Sequence, residues 1–256
     1  MYGRGNQMGF GPPVTPDIIK NLIIANCVVF IAQHLTRSSG LVTDLGVVSP
    51  YLAVHELQLW RPFTYMWLHS TSTPFHILFN MFTLWMFGSQ MALHWGEQRF
   101  IRFYLACGVG AGILIAVVPT IPVIMGISGW TMELAIPTLG ASGAVMGCLL
   151  AYSLTWPNRT IQLIFPPIPI KAIWLIPFIF FMEYSSSSSN VSHIGHLGGV
   201  VVGWAYLVRE GRTPGIPTVA SLKQRWHRYQ MRQKLRAVHE EERRERKRQD
   251  DDHTFH

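Results

Sequence analysis

Four polar residues stand in or beside apolar stretches of this chain, and together their types suit acyl transfer: Ser142 in LGASGAVMG, His196 at the head of HLGGVVVGW, and His76 with Asn80 in HILFN. A serine hydroxyl is a poor nucleophile until a base within about 2.6–3.2 Å can take its proton, and His196 is the base this sequence offers. Developing oxyanion charge needs fixed donors. His76 and Asn80, four residues apart, fall on one helical face, and with the backbone N–H of Ser142 they form a three-donor set. Each residue alone has a structural reading, since serine, histidine and asparagine all bridge helices in apolar surroundings. A single reaction centre accounts for all four at once. No acidic residue is directed at His196, so a two-residue dyad is expected.

Glycines mark the elements that must bring these groups together. Gly140 and Gly143 flank the serine and leave little side-chain bulk around its hydroxyl. Gly143 and Gly147 form one small-xxx-small face, and Gly195, Gly199 and Gly203 form another, so two helices can pack backbone to backbone. Half of the residues are hydrophobic and only 14% are charged, a composition that excludes an ordinary soluble enzyme and predicts an all-α membrane protein. Six apolar segments are predicted to span: 17–36, 75–93, 100–118, 136–156, 168–184 and 193–208. Arg4, Lys20, Arg99, Arg102, Arg159, Lys171, Arg209 and Arg212 all fall on one side of that arrangement. By the positive-inside rule both termini are therefore cytoplasmic.

Three regions follow: a flexible arm at 1–16, a six-helix membrane domain at 17–210 and a basic tail at 211–256. The formal charge of +7 owes most to the tail, whose basic residues suit anionic lipid headgroups and do not indicate nucleic acid. Cys27, Cys107 and Cys148 lie in predicted spans without metal-ligand spacing and read as packing residues. No metal site or cofactor is expected. A transporter is disfavoured by the lack of an internal repeat and of a buried acidic residue.

From Trp60-Arg61 through HILFN and GASG to HLGGVVVG, over roughly residues 55–210, the chain resembles the rhomboid family of intramembrane serine proteases. The resemblance implies a compact six-transmembrane-helix bundle with a long first loop partly embedded in the membrane, and a wet active site open to the extracytoplasmic side. It makes Ser142 the nucleophile, His196 the base, and His76 and Asn80 parts of the oxyanion pocket, and it leaves His193 as a cavity or interhelical residue. Trp60 and Arg61 would order the first loop, and the fifth span, the loop 184–190 and Phe79 would gate the site. Substrates would be transmembrane proteins, and the expected location is a bacterial cell (inner) membrane. Two positions depart from the family pattern: Ala92 stands where a glutamate is common, and Met146 where an aromatic residue often supports the catalytic histidine.

Overall fold

Apolar runs that cannot hydrate their own backbone must close its hydrogen bonds locally, and here they do so as helices. The computed structural model describes residues 11–162, 168–185, 193–211 and 226–233. In chain order these form α1 (Asp17–Leu35), α2 (Leu41–Gly46), α3 (Arg61–Thr64), α4 (Phe75–Thr83), α5 (Ser89–Trp95), α6 (Glu97–Val117), α7 (Ile121–Ile124), α8 (Ser142–Thr155), β1 (Thr160–Gln162), β2 (Pro169–Lys171), α9 (Leu175–Ser185) and α10 (His193–Arg209). The chain divides into two compact units, Met1–Leu207 and Val208–His256. In the second, a helix covers 226–233, and most of the basic tail lies outside the described residues.

The protein is all-α in character, but its helices are not six uniform spans. Among the described residues, two stretches are long and apolar enough to cross a membrane unaided, Asp17–Leu35 and Glu97–Ile124. The second predicted span is α4 and α5 joined through a π-helical turn at Leu84–Gly88. Within that turn, Trp85 Nε1 donates to Thr15 Oγ1 at 2.9 Å. The fourth begins at Ser142, not at Ile136. Gly140 holds φ at 132°, and Thr138 pairs in antiparallel fashion with Val48, with N···O distances of 2.7 and 3.0 Å. The helix that remains has 14 residues. The fifth predicted span opens as a strand: β2 pairs with β1 through Thr160↔Lys171, Ile161↔Ile170 and Gln162↔Pro169. The sequence analysis missed this hairpin.

α6 is the central packing element. Phe100, Phe103, Tyr104, Cys107, Ala111 and Ile115 are buried along it, and Cys107 and Cys148 are buried free thiols. Its small residues admit neighbours: a methyl group on Gly112 would sit 2.5 Å from the carbonyl oxygen of Pro62 and 2.6 Å from the Tyr65 ring. The Tyr65 hydroxyl donates to the Gly108 carbonyl at 2.8 Å.

The first loop is organised from within by Arg61, which is 4% exposed. Its Nη1 donates to the carbonyls of Asp44 (2.8 Å) and Val47 (2.5 Å), and its Nε donates to Gln58 Oε1 (2.6 Å). Beside it Trp60 is half exposed and donates through Nε1 to the Leu45 carbonyl at 3.1 Å. A guanidinium supplies several donors in a fixed fork, whereas an ammonium is a point charge on a flexible stem. Arg61→Ala is therefore expected to destabilise the protein by about 3 kcal/mol, the scale of lost charge-assisted bonds to buried acceptors. Arg61→Lys should restore less than half of that loss, as read from thermal unfolding in detergent micelles.

Candidate active site

Ser142 is the first residue of α8, so its own N–H lies in a turn with no intrahelical acceptor and at the positive end of the helix dipole. The preceding turn is set by Gly140, whose N–H donates to the Tyr65 carbonyl at 3.0 Å and whose φ favours glycine. α10 approaches α8 through glycines. A methyl group on Gly199 would overlap the carbonyl oxygen of Gly143, and one on Gly143 would sit 3.0 Å from the Gly195 oxygen. Gly147 and Gly203 continue the contact, since a methyl on Gly203 would lie 3.3 Å from the Gly147 Cα.

α4 supplies the remaining polar groups. The Ser70 backbone N–H donates to His76 Nδ1 at 3.3 Å, so in the neutral ring the proton sits on Nε2. That edge faces the serine turn: a methyl on Gly140 would lie 3.0 Å from His76 Nε2 and 3.6 Å from Ser142 Oγ. Asn80 Nδ2 donates to the His76 carbonyl at 2.8 Å, which leaves the amide a second N–H for another acceptor.

One cavity of about 420 Å³ is bounded by Ser142, His196, His76, Asn80, Phe79 and Gly143. Three separate helices thus bring the four chemically capable residues to one space. Gly140 lies beneath it, and Gly199 and Gly203 hold the helix contact. Trp60 and Arg61 belong to the first loop and are not on the wall, and neither is His193. Met146 is on the wall, so a thioether stands there in place of a ring, while Ala92 is buried at 2% exposure. Of the expected gate, residues 186–190 lie outside the described residues.

Several residues of the surroundings were not singled out in the sequence. Thr73, Thr138 and Tyr65 also line the cavity. His69 is fully buried, and its ring packs 5.2 Å from that of His76. Its backbone N–H donates to Oε1 of buried Gln33 at 2.9 Å, and Gln33 Nε2 donates to Thr43 Oγ1 at 3.1 Å. A glutamine inside an apolar helix is the signal that would have found this brace.

The Rhomboid domain profile matches residues 56–212. That stretch is more than half of the chain, and it contains the serine turn, both helix stripes and the α4 pair. The chain belongs to the rhomboid family. It is similar to RHOMBOID-like protein 1 of Arabidopsis thaliana, 28% identical over 125 residues, which cover 49% of this chain and 30% of that protein. It is also similar to the human Presenilin-associated rhomboid-like protein, mitochondrial, at 30% over 132 residues (52% and 29%). Rhomboid protein 1, mitochondrial, of Saccharomyces cerevisiae is 29% identical over 94 residues (37% and 25%). The aligned part of this rhomboid thus spans under a third of each of these relatives. Rhomboids are membrane-embedded, and mitochondrial or plant relatives give a bacterial cell membrane no support.

Two outcomes follow for the rhomboid site. Gly199→Ala must push α10 off α8, and it is expected to cost about 1–3 kcal/mol by overpacking, seen as a lower unfolding temperature. Burial, with His76 beside it, pushes the His69 imidazole down to about 3. A base with a depressed folded pKa contributes stability that is complete above its unfolded value, about 6.5, and is lost as pH falls towards the folded value. Between about pH 6.5 and 4, His69→Gln should therefore weaken the fall in stability with acidification relative to the parent.

Proposed function

We propose that this rhomboid is an intramembrane serine endopeptidase that cleaves other membrane proteins in or near their transmembrane segments. The observation that carries the reading is the shared cavity: Ser142, His196, His76 and Asn80 come from α8, α10 and α4 and border one space. In the proposed reaction His196 takes the Ser142 hydroxyl proton while Oγ attacks the scissile carbonyl carbon. The resulting oxyanion accepts hydrogen bonds from the Ser142 N–H, His76 Nε2–H and the second Asn80 N–H. Collapse of the tetrahedral species breaks the C–N bond, and His196 returns the proton to the departing amine. Water then loses a proton to His196 and attacks the ester carbonyl carbon, and as the C–Oγ bond breaks His196 returns that proton to Ser142 Oγ, releasing the carboxyl product and restoring both residues. The steps as written draw on no cofactor.

The six helical segments would cross the membrane with both termini on the cytoplasmic side and the cavity open to the opposite side. Phe79 is 62% exposed and its ring lies 6.1 Å from that of Phe75. With α9 it would form the lateral entrance through which a substrate helix unwinds towards Ser142. The arm at 1–16 and the tail at 211–256 would be cytoplasmic, the tail against anionic lipid.

Reconstitution with a generic transmembrane reporter tests the reading. The parent is expected to cleave it and Ser142→Ala to show none. His196→Ala should fall by about 10²–10⁴, the contribution typical of a general base. Asn80→Ala should fall less, by up to about 10²–10³, as for loss of one oxyanion donor. A fluorophosphonate should label the parent at Ser142 alone. Equal cleavage by parent, Ser142→Ala and His196→Ala overturns the dyad.

A further inference from the structure

The chain between α6 and α8 carries an apolar surface that the proposed chemistry does not use. No charged residue occurs from Phe103 to Met132, and Glu133 is the only one before Ser142. The helical path from Glu97 to Ile124 has 28 residues. Its charged start at Glu97–Arg102 belongs to the cytoplasmic side, and the 22 residues from Phe103 to Ile124 run about 33 Å at 1.5 Å per residue, already the full thickness of a hydrocarbon core of roughly 30 Å. Instead of becoming polar where it outruns that thickness, the sequence stays apolar through a tight reversal. The Gly126 N–H donates to Val123 O, Ile127 N–H to Pro122 O at 2.9 Å, and Gly126 takes φ of 69°. The side chains at and after the reversal point outward: Ile124 is 69% exposed, Met125 67%, Ile127 72% and Met132 86%.

Two observations identify what covers this surface. It continues the outward face of the long helix, because Ile113, Val117 and Ile121 are exposed below it at helical spacing. It also faces away from the cavity. Ile115 is buried on the cavity wall, and two residues along a helix turn the side chain by about 200°, so Ile113 and Val117 look the other way. A substrate bound at Ser142 would not reach the patch, whereas the lipid that surrounds the span reaches it without interruption. The distal end is tied to the first loop. The Trp130 ring meets His55 edge-on at 5.1 Å and Tyr51 at 5.7 Å, and Thr138 pairs with Val48.

We propose that the connection from Ile121 to Met132 is a lipid-embedded paddle, with its apolar face in the acyl-chain boundary of the leaflet bordering the first loop and Trp130 at headgroup level. Indole rings favour that level, and contiguous exposed apolar surface of this kind marks a membrane or partner contact. The inference needs the family's membrane setting but no reactivity at Ser142.

Site-specific quenching in phosphatidylcholine liposomes tests it. In a Cys27→Ala background, where Cys107 and Cys148 are buried, Ile127→Cys and Met132→Cys would each carry an environment-sensitive NBD label. Ser38→Cys, in the exposed turn after α1, serves as reference, and each protein must keep the parent's unfolding transition. At 127 and 132, shallow doxyl-labelled lipid is expected to lower emission at least about twofold, with iodide far less effective than at 38. Iodide quenching equal to that at 38 without a doxyl effect would place the paddle in water and overturn the proposal. Quenching by neither agent would mean that protein covers the face, which overturns it equally.

Discussion

The contact between α8 and α10 is the constraint on which the rest of the molecule depends. Gly199 lies so close to the Gly143 carbonyl that no side chain fits between the backbones, and the two helices so joined contribute Ser142 and His196 to the lining of one cavity. Small residues supply no hydrophobic payload of their own. Their contribution is dispersion between backbones and the short reach they give to neighbouring polar groups. The same device recurs at α6, where Gly108 admits Met66 and Gly112 admits Pro62 and Tyr65. Tyr65 in turn accepts the Gly140 N–H through its own carbonyl. The serine turn is therefore coupled to the central helix by backbone geometry more than by side-chain volume.

A second layer is polar and lies towards the first loop. Arg61 satisfies carbonyls of the α2 segment from within the protein, and Gln33 braces His69, which packs on His76. The order of that loop thus reaches His76 along two routes, one through ring contact and one through the Ser70 N–H that fixes its tautomer. A loop that looks peripheral in the sequence is mechanically continuous with the side of the cavity that His76 borders.

The residues that border the cavity were more legible in the sequence than the architecture. Ser142, His196, His76 and Asn80 were visible because polar groups in apolar surroundings are costly, and the glycine stripes were visible because their period matches a helix. What escaped notice depends on partners distant along the chain. Gln33 meets His69 across 36 positions, and Thr138 pairs with Val48, which keeps 136–140 extended and delays α8 until Ser142. Hydropathy alone cannot tell an apolar strand from an apolar helix over a few residues, so β2 read as the start of the fifth span, and its partner β1 fell in the connection before it.

The π-helical turn at Leu84–Gly88 divides the second span into two halves. Asn80 borders the cavity on one side of it, and Ser89, Met91 and Ala92 are buried on the other. An unbroken α-helix advances by about 100° per residue, which locks the azimuth of every position to every other. A widened turn accommodates one additional residue per loop of hydrogen bonding and so uncouples the two ends. The half carrying His76 and Asn80 is thereby released from whatever orientation the opposite half requires, and each can drift in sequence without rotating the other out of place.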